Sequence, residues 1–322
     1  MQQPLATGKP DPTKSANAFA IEMRDVGYRL PDGRLLLHEL NLAIPRGQTL
    51  VLLGRSGSGK TTSLKLINLL LTPTAGQIFI DGRNQSTWDP IRLRRTIGYV
   101  IQDVGLFPHW TVERNVALVP RLEGWPEQRI RDRVREMLLL VGLDAGEFAA
   151  RHARELSGGQ RQRVGVARAL AGDPPILLMD EPFGALDPIT RAELQREFRS
   201  LAARLGKTIT FVTHDLREAL LLGERIALLA AGRLVGVYSP QQFLRAQEPE
   251  VRAFVDSLEP TPDAPPQRPP ESAPPPNPAS PPDAGPHPKP APQPEPATPE
   301  NVPQSDPQPP PPTGPPRTGG AS

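Results

Sequence analysis

Apolar and polar positions follow two different periods along the chain and predict strands that alternate with helices. Short apolar runs such as residues 49–53 and 176–179 are typical of parallel strands that are buried on both faces. Longer segments with apolar residues every three or four positions, bounded by Gly and Pro, are typical of helices that pack on such a sheet. The predicted strands are residues 21–28, 49–53, 77–80, 97–102, 176–179, 208–213, 225–230 and 233–238. The predicted helices are residues 60–71, 190–205 and 216–222.

The order of these elements predicts the fold class. Strands that alternate with helices indicate an α/β domain with a mainly parallel sheet and helices on its faces. Between residue 104 and about residue 170 the pattern becomes helical, and residues 128–141 are charged on one side and apolar on the other. We therefore expect a helical subdomain inserted near the middle of an α/β domain.

Proline content divides the chain into a folded part and a tail. Of its 43 prolines, 27 lie from residue 260 onward, where large apolar side chains are almost absent. Such a segment cannot offset its ordering entropy by burial, and its prolines favour extended polyproline II. We predict a flexible N-terminus over residues 1–18, a folded domain over residues 19–258 and a disordered proline-rich tail over residues 259–322.

Charge, cysteine content and hydropathy exclude several function classes. The formal net charge is +2 over 322 residues, too small for the basic footprint of a nucleic-acid-binding protein. The chain has no cysteine, which excludes disulfides and cysteine metal sites. No apolar run approaches the roughly 20 residues of a membrane helix, and residues 1–18 lack the apolar core of a signal peptide. We expect a protein that is soluble by itself and has no nucleic-acid partner.

A glycine-rich segment after the strand at residues 49–53 carries the strongest chemical signal. It satisfies the G-x-x-x-x-G-K-[ST] pattern, in which backbone N–H groups converge on phosphate oxygens at the positive end of a helix. Lys60 would reach the terminal phosphates as a point charge, and the Thr61 hydroxyl would bind Mg²⁺. An ordinary glycine and serine turn is the alternative, which the flanking strand and helix disfavour. The residues predicted to bind nucleotide here are Gly54, Arg55, Ser56, Gly57, Ser58, Gly59, Lys60, Thr61 and Thr62.

Two adjacent carboxylates follow the apolar strand at residues 176–179. Ligands of open α/β sheets bind at the carboxyl ends of the strands, which is where Asp180 and Glu181 would lie. Asp180 can hold Mg²⁺ through water, because Mg²⁺ sheds its waters reluctantly. Glu181 can position and deprotonate the attacking water. A strand that runs into a solvated turn is the alternative, and the phosphate loop argues against it.

A second glycine-rich helix start lies at residues 157–160. Ser157 is a good N-cap for the following helix, and capping alone is the plainer interpretation. Ser157, Gly158, Gly159 and Gln160 would nevertheless form another anion-binding helix start with no obvious partner inside the chain. We therefore predict that this loop closes on a nucleotide held by another subunit.

Three single polar residues also follow predicted strands or turns. Gln102 could sense the metal or the attacking water, and His214 could contact the γ-phosphate. Asp187, which precedes Pro188, could act in the same site. Each has a plainer alternative when it is considered alone: a solvated strand end for Gln102, a capping or core histidine for His214, and a turn residue for Asp187.

In their order along the chain, these segments resemble the ATP-binding cassette (ABC) family of transporter ATPases over roughly residues 20–245. The phosphate loop is similar to Walker A, residues 156–160 to the LSGGQ signature, and residues 176–181 to Walker B with its catalytic glutamate. The resemblance implies a Q-loop role for Gln102 as metal ligand and catalytic residue, a D-loop role for Asp187 and a switch role for His214. It also implies a P-loop NTPase fold, with a RecA-like core sheet, an antiparallel β subdomain and an inserted helical subdomain.

The same resemblance implies cofactors and partners. The cofactors would be ATP and Mg²⁺, and a second ATPase subunit would complete a homodimer. The dimer would bind integral-membrane permease subunits at the cytoplasmic face of the cell membrane, and a substrate-binding protein would act indirectly. Residues 97–109, 115–120 and 124–125 are more narrowly similar to importer ATPases for betaine, choline, carnitine and related quaternary amines. That similarity implies that the region from Gln102 to Trp125 docks on the permease.

One position departs from the family pattern. The aromatic residue that stacks on adenine in the family lies four positions after a valine such as Val26, and Leu30 occupies that position here. Residues two apart in a strand share a face, so we predict that Tyr28 replaces it.

Two alternatives for the function stay open. The chain could power an importer of another small solute such as an amino acid, because the ATPase subunit does not touch the cargo. It could also be a non-transport ABC protein that acts on nucleic acid. Such proteins usually have long coiled-coil insertions or two cassettes, and neither is present in this sequence.

Overall fold

A computed structural model describes residues 18–102, 104–184 and 186–258. The predicted proline-rich tail and almost all of the predicted N-terminal segment lie outside the described residues. The strands are β1 (Phe19–Arg29), β2 (Leu35–Pro45), β3 (Thr49–Leu53), β4 (Ala75–Ile80), β5 (Arg83–Asn84), β6 (Ile97–Val100), β7 (Ile176–Asp180), β8 (Thr208–Thr213), β9 (Arg225–Ala230) and β10 (Arg233–Tyr238). The helices are α1 (Lys60–Ile67), α2 (Pro90–Thr96), α3 (Val112–Val116), α4 (Leu118–Leu122), α5 (Glu127–Leu140), α6 (Ala145–Phe148), α7 (Gly158–Ala171), α8 (Pro188–Leu205), α9 (Leu216–Leu222), α10 (Pro240–Arg245) and α11 (Pro249–Val255). Within these described ranges, no helix has both the length and the apolar character that crossing a membrane requires.

The main sheet brings the ends of four strands to one edge. Its order is β10-β9-β3-β8-β7-β6, and all neighbours are parallel except β9 with β10. The carboxyl ends of parallel strands point the same way, so the residues that follow β3, β6, β7 and β8 meet along that edge. The phosphate loop, Gln102, Glu181 and His214 therefore all follow strand ends at this edge.

Alternating side chains of β3 belong to two separate cores. Leu50 and Leu52 pack with the antiparallel sheet, whose strand order is β2-β1-β4-β5. Val51 and Leu53 pack with the helices on the opposite face. Successive side chains of a strand point to opposite faces, so a run that is buried at every position holds the sheet between two layers.

The predicted α/β fold with a mainly parallel sheet is confirmed, but the sequence pattern does not predict β2. The buried residues of β2 are Leu37, Leu40, Leu42 and Ile44. Glu39 has a left-handed φ of 48°, and the pairing with β1 is irregular there. This bulge separates Leu37 and Leu40 by three positions and interrupts the two-residue period that identifies a strand.

Two elements end earlier than predicted. Helix α1 ends at Ile67 instead of residue 71, because Leu69 adopts a left-handed φ of 52°. The Gln85 side chain donates to the carbonyls of Leu66 and Ile67, both at 2.7 Å, and so occupies acceptors at the end of the helix. Strand β6 ends at Val100 instead of residue 102, which leaves Gln102 in an exposed turn.

Candidate nucleotide site

The phosphate loop depends on glycines at its two ends. A Cβ added to Gly54 would lie 2.6 Å from the Ser58 Oγ and would also collide with the backbone carbonyl of Leu229. Gly59 has a φ of +100°, which is readily adopted only by glycine, and the Leu37 side chain fills the space where its Cβ would lie. The loop thus closes tightly between β3 and α1, with its backbone at the positive end of that helix.

Lys60 lies buried inside this loop. Its Nζ donates to the carbonyl oxygens of Gly54 at 2.8 Å and Arg55 at 3.0 Å, and the residue is 5% exposed. Burial lowers the pKa of the Lys60 amine, and the nearby carboxylates of Glu181 and Asp180 act in the opposite direction. The ammonium group is therefore already positioned at the centre of the loop, where it can meet the charge of a bound phosphate.

Thr61 and Asp180 form a pair of oxygen ligands beside the loop. The Thr61 hydroxyl donates to the Asp180 Oδ1 at 2.9 Å. Burial raises the pKa of the Asp180 carboxyl, and the hydrogen bond from Thr61 opposes that shift. No cluster of three or more His, Cys, Asp or Glu side chains suited to a metal occurs in the part of the chain that the structure describes. A hydroxyl with one carboxylate fits Mg²⁺, which keeps several waters and takes its other oxygens from phosphates.

Glu181 and His214 meet at the same edge of the sheet. Their side chains come within 3.2 Å, from His214 Nδ1 to Glu181 Oε2. The Glu181 side chain is 22% exposed, and that of His214 is 62% exposed. Glu181 has a left-handed φ of 41°, which is uncommon for a residue other than glycine. Its backbone is held in that conformation by hydrogen bonds to Val212 and Gly184, both at 3.1 Å.

Gln102 is not joined to this cluster. Among residues 18–102, 104–184 and 186–258, its side chain has no hydrogen-bond partner. The chain just after it is tied to helix α7, because Arg168 donates to the carbonyls of Val104 at 2.6 Å and Gly105 at 2.7 Å. Burial lowers the pKa of the Arg168 guanidinium. The roles predicted for Gln102 as metal ligand and catalytic residue stay predictions.

The second glycine-rich loop forms a capping box at the start of α7. The Ser157 Oγ accepts from the Gln160 N–H at 3.2 Å, and the Gln160 Oε1 accepts from the Ser157 N–H at 2.9 Å. A Cβ added to Gly159 would lie 2.9 Å from the Thr190 Cγ2, so the first turns of α7 and α8 pack closely. The capping interpretation of Ser157 therefore holds, and a contact with another subunit's nucleotide stays a prediction.

Asp187 is the N-cap of α8. Its Oδ1 accepts from the N–H groups of Ile189 at 3.2 Å and Thr190 at 3.1 Å. These backbone hydrogen bonds, that of Thr190 first, lower the pKa of the Asp187 carboxyl. A capping role is thus established by the geometry, and the D-loop role stays a prediction.

Tyr28 lies near the end of β1, on the side of the phosphate loop. It is directly paired with Leu37 of β2, and the Leu37 side chain fills the space beside Gly59. Cross-strand partners share one face of a sheet, so the half-buried Tyr28 side chain projects on the same face as Leu37. This position is compatible with adenine stacking, which stays a prediction.

A buried carboxylate, Glu218, lies behind His214 and is not predicted from the sequence pattern. Glu218 accepts hydrogen bonds from the Thr213 hydroxyl and from the Gln195 Nε2, the latter at 2.7 Å. The only sequence signal is the spacing of Asp215 and Glu218, which is that of a capping box. That pattern predicts a bond to the Asp215 N–H, which instead donates to the Thr213 Oγ1 at 3.0 Å.

Replacement of Gly54 by Ala is expected to distort the phosphate loop, because the Leu229 carbonyl and Ser58 leave no room for a Cβ. We expect the free energy of unfolding to fall by about 1–3 kcal/mol, as for other overpacked sites, and nucleotide affinity to fall with it. Chemical denaturation and nucleotide titration measure the two effects. Gly146→Ala is the matched control, since Gly146 lies exposed in α6 and the nearest atom that an added Cβ would meet is the side-chain Asp144 Oδ1, at 3.1 Å. Equal stability and affinity of Gly54→Ala and the control would contradict the prediction.

Comparisons with known proteins agree with this geometry. A model of the ABC transporter family matches residues 37–184. The choline transport ATP-binding protein OpuBA of Bacillus subtilis (strain 168) is 52% identical over 225 residues, which cover 70% of this chain and 59% of that protein. The glycine betaine uptake system ATP-binding protein YehX of Escherichia coli (strain K12) is 49% identical over 208 residues, which cover 65% of this chain and 67% of that protein.

A solved structure extends the similarity to the fold. The dimeric structure of the ATP-binding cassette MJ0796 bound to ADP and Pi has a TM-score of 0.61 and 35% identity, and the match covers 68% of this chain and 98% of that chain. The chain spans only 54% to 59% of the length of several curated relatives that it matches. Within the shared region, the family match and the identities lead to one conclusion: this chain belongs to the ABC transporter family of ATP-binding proteins.

Proposed function

We propose that the chain is the ATP-hydrolysing subunit of an ABC importer that takes up a quaternary amine. The observation that carries the proposal is that five side chains lie together at one edge of the sheet. Lys60 lies inside the phosphate loop, Asp180 is bonded to Thr61 at 2.9 Å, and Glu181 lies 3.2 Å from His214. These groups are the ones that phosphoryl transfer to water requires.

ATP binding would use the backbone of the phosphate loop and the Lys60 ammonium group. The start of α1 and the loop N–H groups face the phosphates, and Lys60 adds a positive charge that is already partly desolvated. Thr61 and Asp180 would hold Mg²⁺, with Gln102 as a further proposed ligand. Bound Mg²⁺ neutralises charge that develops on the phosphate oxygens. Tyr28 would stack on the adenine ring.

Hydrolysis would use Glu181 as the general base. Its side chain is only partly exposed, and it lies at the strand end, beside the loop that holds the phosphates. A carboxylate there can accept a proton from an attacking water, while His214 restricts the orientation of the carboxylate. His214 is itself largely exposed, so it can also reach the γ-phosphate side of the site.

A second subunit would complete the site. The capped loop from Ser157 to Gln160 and the N-cap Asp187 lie on neighbouring helix starts. Among the residues that the structure describes, no hydrogen bond joins either of them to the phosphate loop. The dimeric arrangement of the similar cassette MJ0796 supports the same assembly here. We propose a homodimer in which these helix starts close on the nucleotide of the partner.

The names of the relatives support the proposed cargo and the proposed partners. The choline transport ATP-binding protein OpuBA is 52% identical to this chain, and the glycine betaine uptake ATP-binding protein YehX is 49% identical. The segment from Gln102 to Trp125 carries aromatic side chains that could dock a permease: Phe107 stacks on Trp110 at 4.2 Å, and Arg129 lies 3.5 Å over the Trp125 ring. The ATPase would bind its permease there, at the cytoplasmic face of the membrane, and a substrate-binding protein would deliver the solute.

The transport proposal is tested by purifying the chain with its permease and substrate-binding protein. We expect the binding protein to retain glycine betaine, choline or carnitine, and the complex to hydrolyse ATP faster when that solute is present. Stimulation by an amino acid alone would replace the proposed cargo and keep the ATPase role. Failure to associate with any membrane protein, together with salt-sensitive DNA binding, would contradict the transport proposal.

A further inference from the structure

A buried polar network lies directly behind His214. Glu218, in the first turn of α9, is 6% exposed and accepts hydrogen bonds from the Thr213 hydroxyl and from the Gln195 Nε2 at 2.7 Å. The Thr213 hydroxyl oxygen accepts in turn from the Asp215 N–H at 3.0 Å. The residues on both sides of His214 are therefore fixed by the same carboxylate.

This arrangement differs from ordinary helix capping. Asp215 is the N-cap of α9, and Glu218 occupies the position whose side chain usually bonds back to the N-cap N–H. Here the Asp215 N–H donates to the Thr213 hydroxyl oxygen, and the Thr213 hydroxyl donates in turn to the Glu218 carboxylate. Asp215 caps the start of α9, because its carboxylate accepts from the Arg217 N–H at 2.7 Å. The Glu218 side chain is therefore not needed for capping.

Keeping a carboxylate in this place is costly. Burial raises the pKa of the Glu218 carboxyl, and the hydrogen bonds from Thr213 and Gln195 act in the opposite direction. An apolar side chain would fill the same space without a desolvation cost. Buried titratable groups with specific partners are concentrated at functional sites. A small cavity of about 60 Å³ is lined by Glu181, His214 and Glu218 among others, so it lies between the network and the proposed general base Glu181.

We propose that Glu218 is a positioning residue for His214, acting through Thr213 and supported by Gln195. The carboxylate fixes the Thr213 hydroxyl, the hydroxyl fixes the Asp215 N–H, and His214 between them is held toward Glu181, 3.2 Å away. The inference rests on the proposed function, in which Glu181 activates water and His214 orients the Glu181 carboxylate. Without this network, His214 is free to turn toward solvent, to which it is already 62% exposed.

The test compares the kcat and KM for ATP of the full chain and four variants. Glu218→Leu and Thr213→Val are expected to lower kcat about 10- to 100-fold, the scale of a misplaced catalytic group, with KM little changed. Glu218→Gln is expected to rescue most of kcat, because the Gln195 amide can turn to accept from the new amide while Thr213 still donates. Thr213→Ser is expected to rescue it as well, since it keeps the hydroxyl.

A double-mutant cycle separates positioning from folding. In a His214→Ala background, Glu218→Leu is expected to have no further effect on kcat, because the two residues act as a unit. Glu22→Leu is the matched control, a buried glutamate of β1 at 9% exposure that is bonded to Arg24 at 2.7 Å. It is expected to lower the denaturation midpoint without changing kcat per folded chain.

Each outcome gives a decision. Unchanged kcat in both Glu218→Leu and Thr213→Val, or additive losses in the double mutant, would overturn the positioning role while the ATPase proposal stands. If Glu218→Leu does not fold, the Thr213→Val and Thr213→Ser pair decides the same question. A wild-type chain with no ATP hydrolysis would overturn the proposed function and this inference together.

Discussion

Replacement of Glu181 by Gln is expected to lower the rate of ATP hydrolysis by about 10²- to 10⁴-fold, the usual contribution of a general base. The amide has nearly the same shape as the carboxylate and can still contact His214, which lies 3.2 Å away, but it cannot accept a proton from water. The loop around Lys60 is unchanged, so nucleotide affinity is expected to stay within a few-fold of the wild type. Phosphate release and titration with a fluorescent nucleotide measure the two quantities.

Glu193→Gln is the matched control for this substitution. Glu193 lies exposed on α8, so the same change of charge occurs on the surface and away from the strand ends. We expect its turnover to equal that of the wild type. Turnover by Glu181→Gln within threefold of the control would reject Glu181 as the base.

Replacement of Lys60 by Ala is expected to abolish tight nucleotide binding. Among the residues that the structure describes, Lys60 is the lysine whose ammonium group lies inside the loop. Its removal leaves the carbonyls of Gly54 and Arg55 without this donor. Charge-assisted hydrogen bonds contribute about 1.5–3 kcal/mol each, so the Kd for ATP is expected to rise by at least tenfold and turnover to be lost. Isothermal titration with ATP measures the affinity.

Lys65→Ala is the control on the same helix. Lys65 is exposed in the last turn of α1, whereas Lys60 is buried at its start. The control therefore removes a lysine without altering the loop, and we expect its Kd to change less than that of Lys60→Ala. Equal affinities of the two variants would contradict the role of Lys60 at the phosphates.

Local sequence patterns predicted the parts of this site that repeat a simple physical rule. The phosphate loop is recognisable because its glycines, lysine and threonine all lie in one continuous segment. Asp180 and Glu181 are recognisable because they follow a run of apolar residues that is buried at every position. In both cases the order of strands in a parallel sheet places the segments at one edge.

Features that depend on several distant segments could not be predicted in the same way. Strand β2 was hidden because the bulge at Glu39 breaks its alternation. The network at Glu218 includes Gln195 from a different helix, and its sequence spacing indicates a capping box that the structure does not form. The end of β6 at Val100 also depends on the following turn, which Arg168 holds from α7.

The most direct test of the ATPase role is phosphate release from ATP by the full chain at increasing protein concentration. Purified Glu181→Gln serves as the blank, and EDTA removes divalent ions in a parallel series. We expect Mg²⁺-dependent release well above the blank, with a rate per chain that rises with concentration as dimers form. Release that equals the Glu181→Gln blank, or that persists unchanged in EDTA, would contradict a site built from the phosphate loop, Asp180 and Glu181.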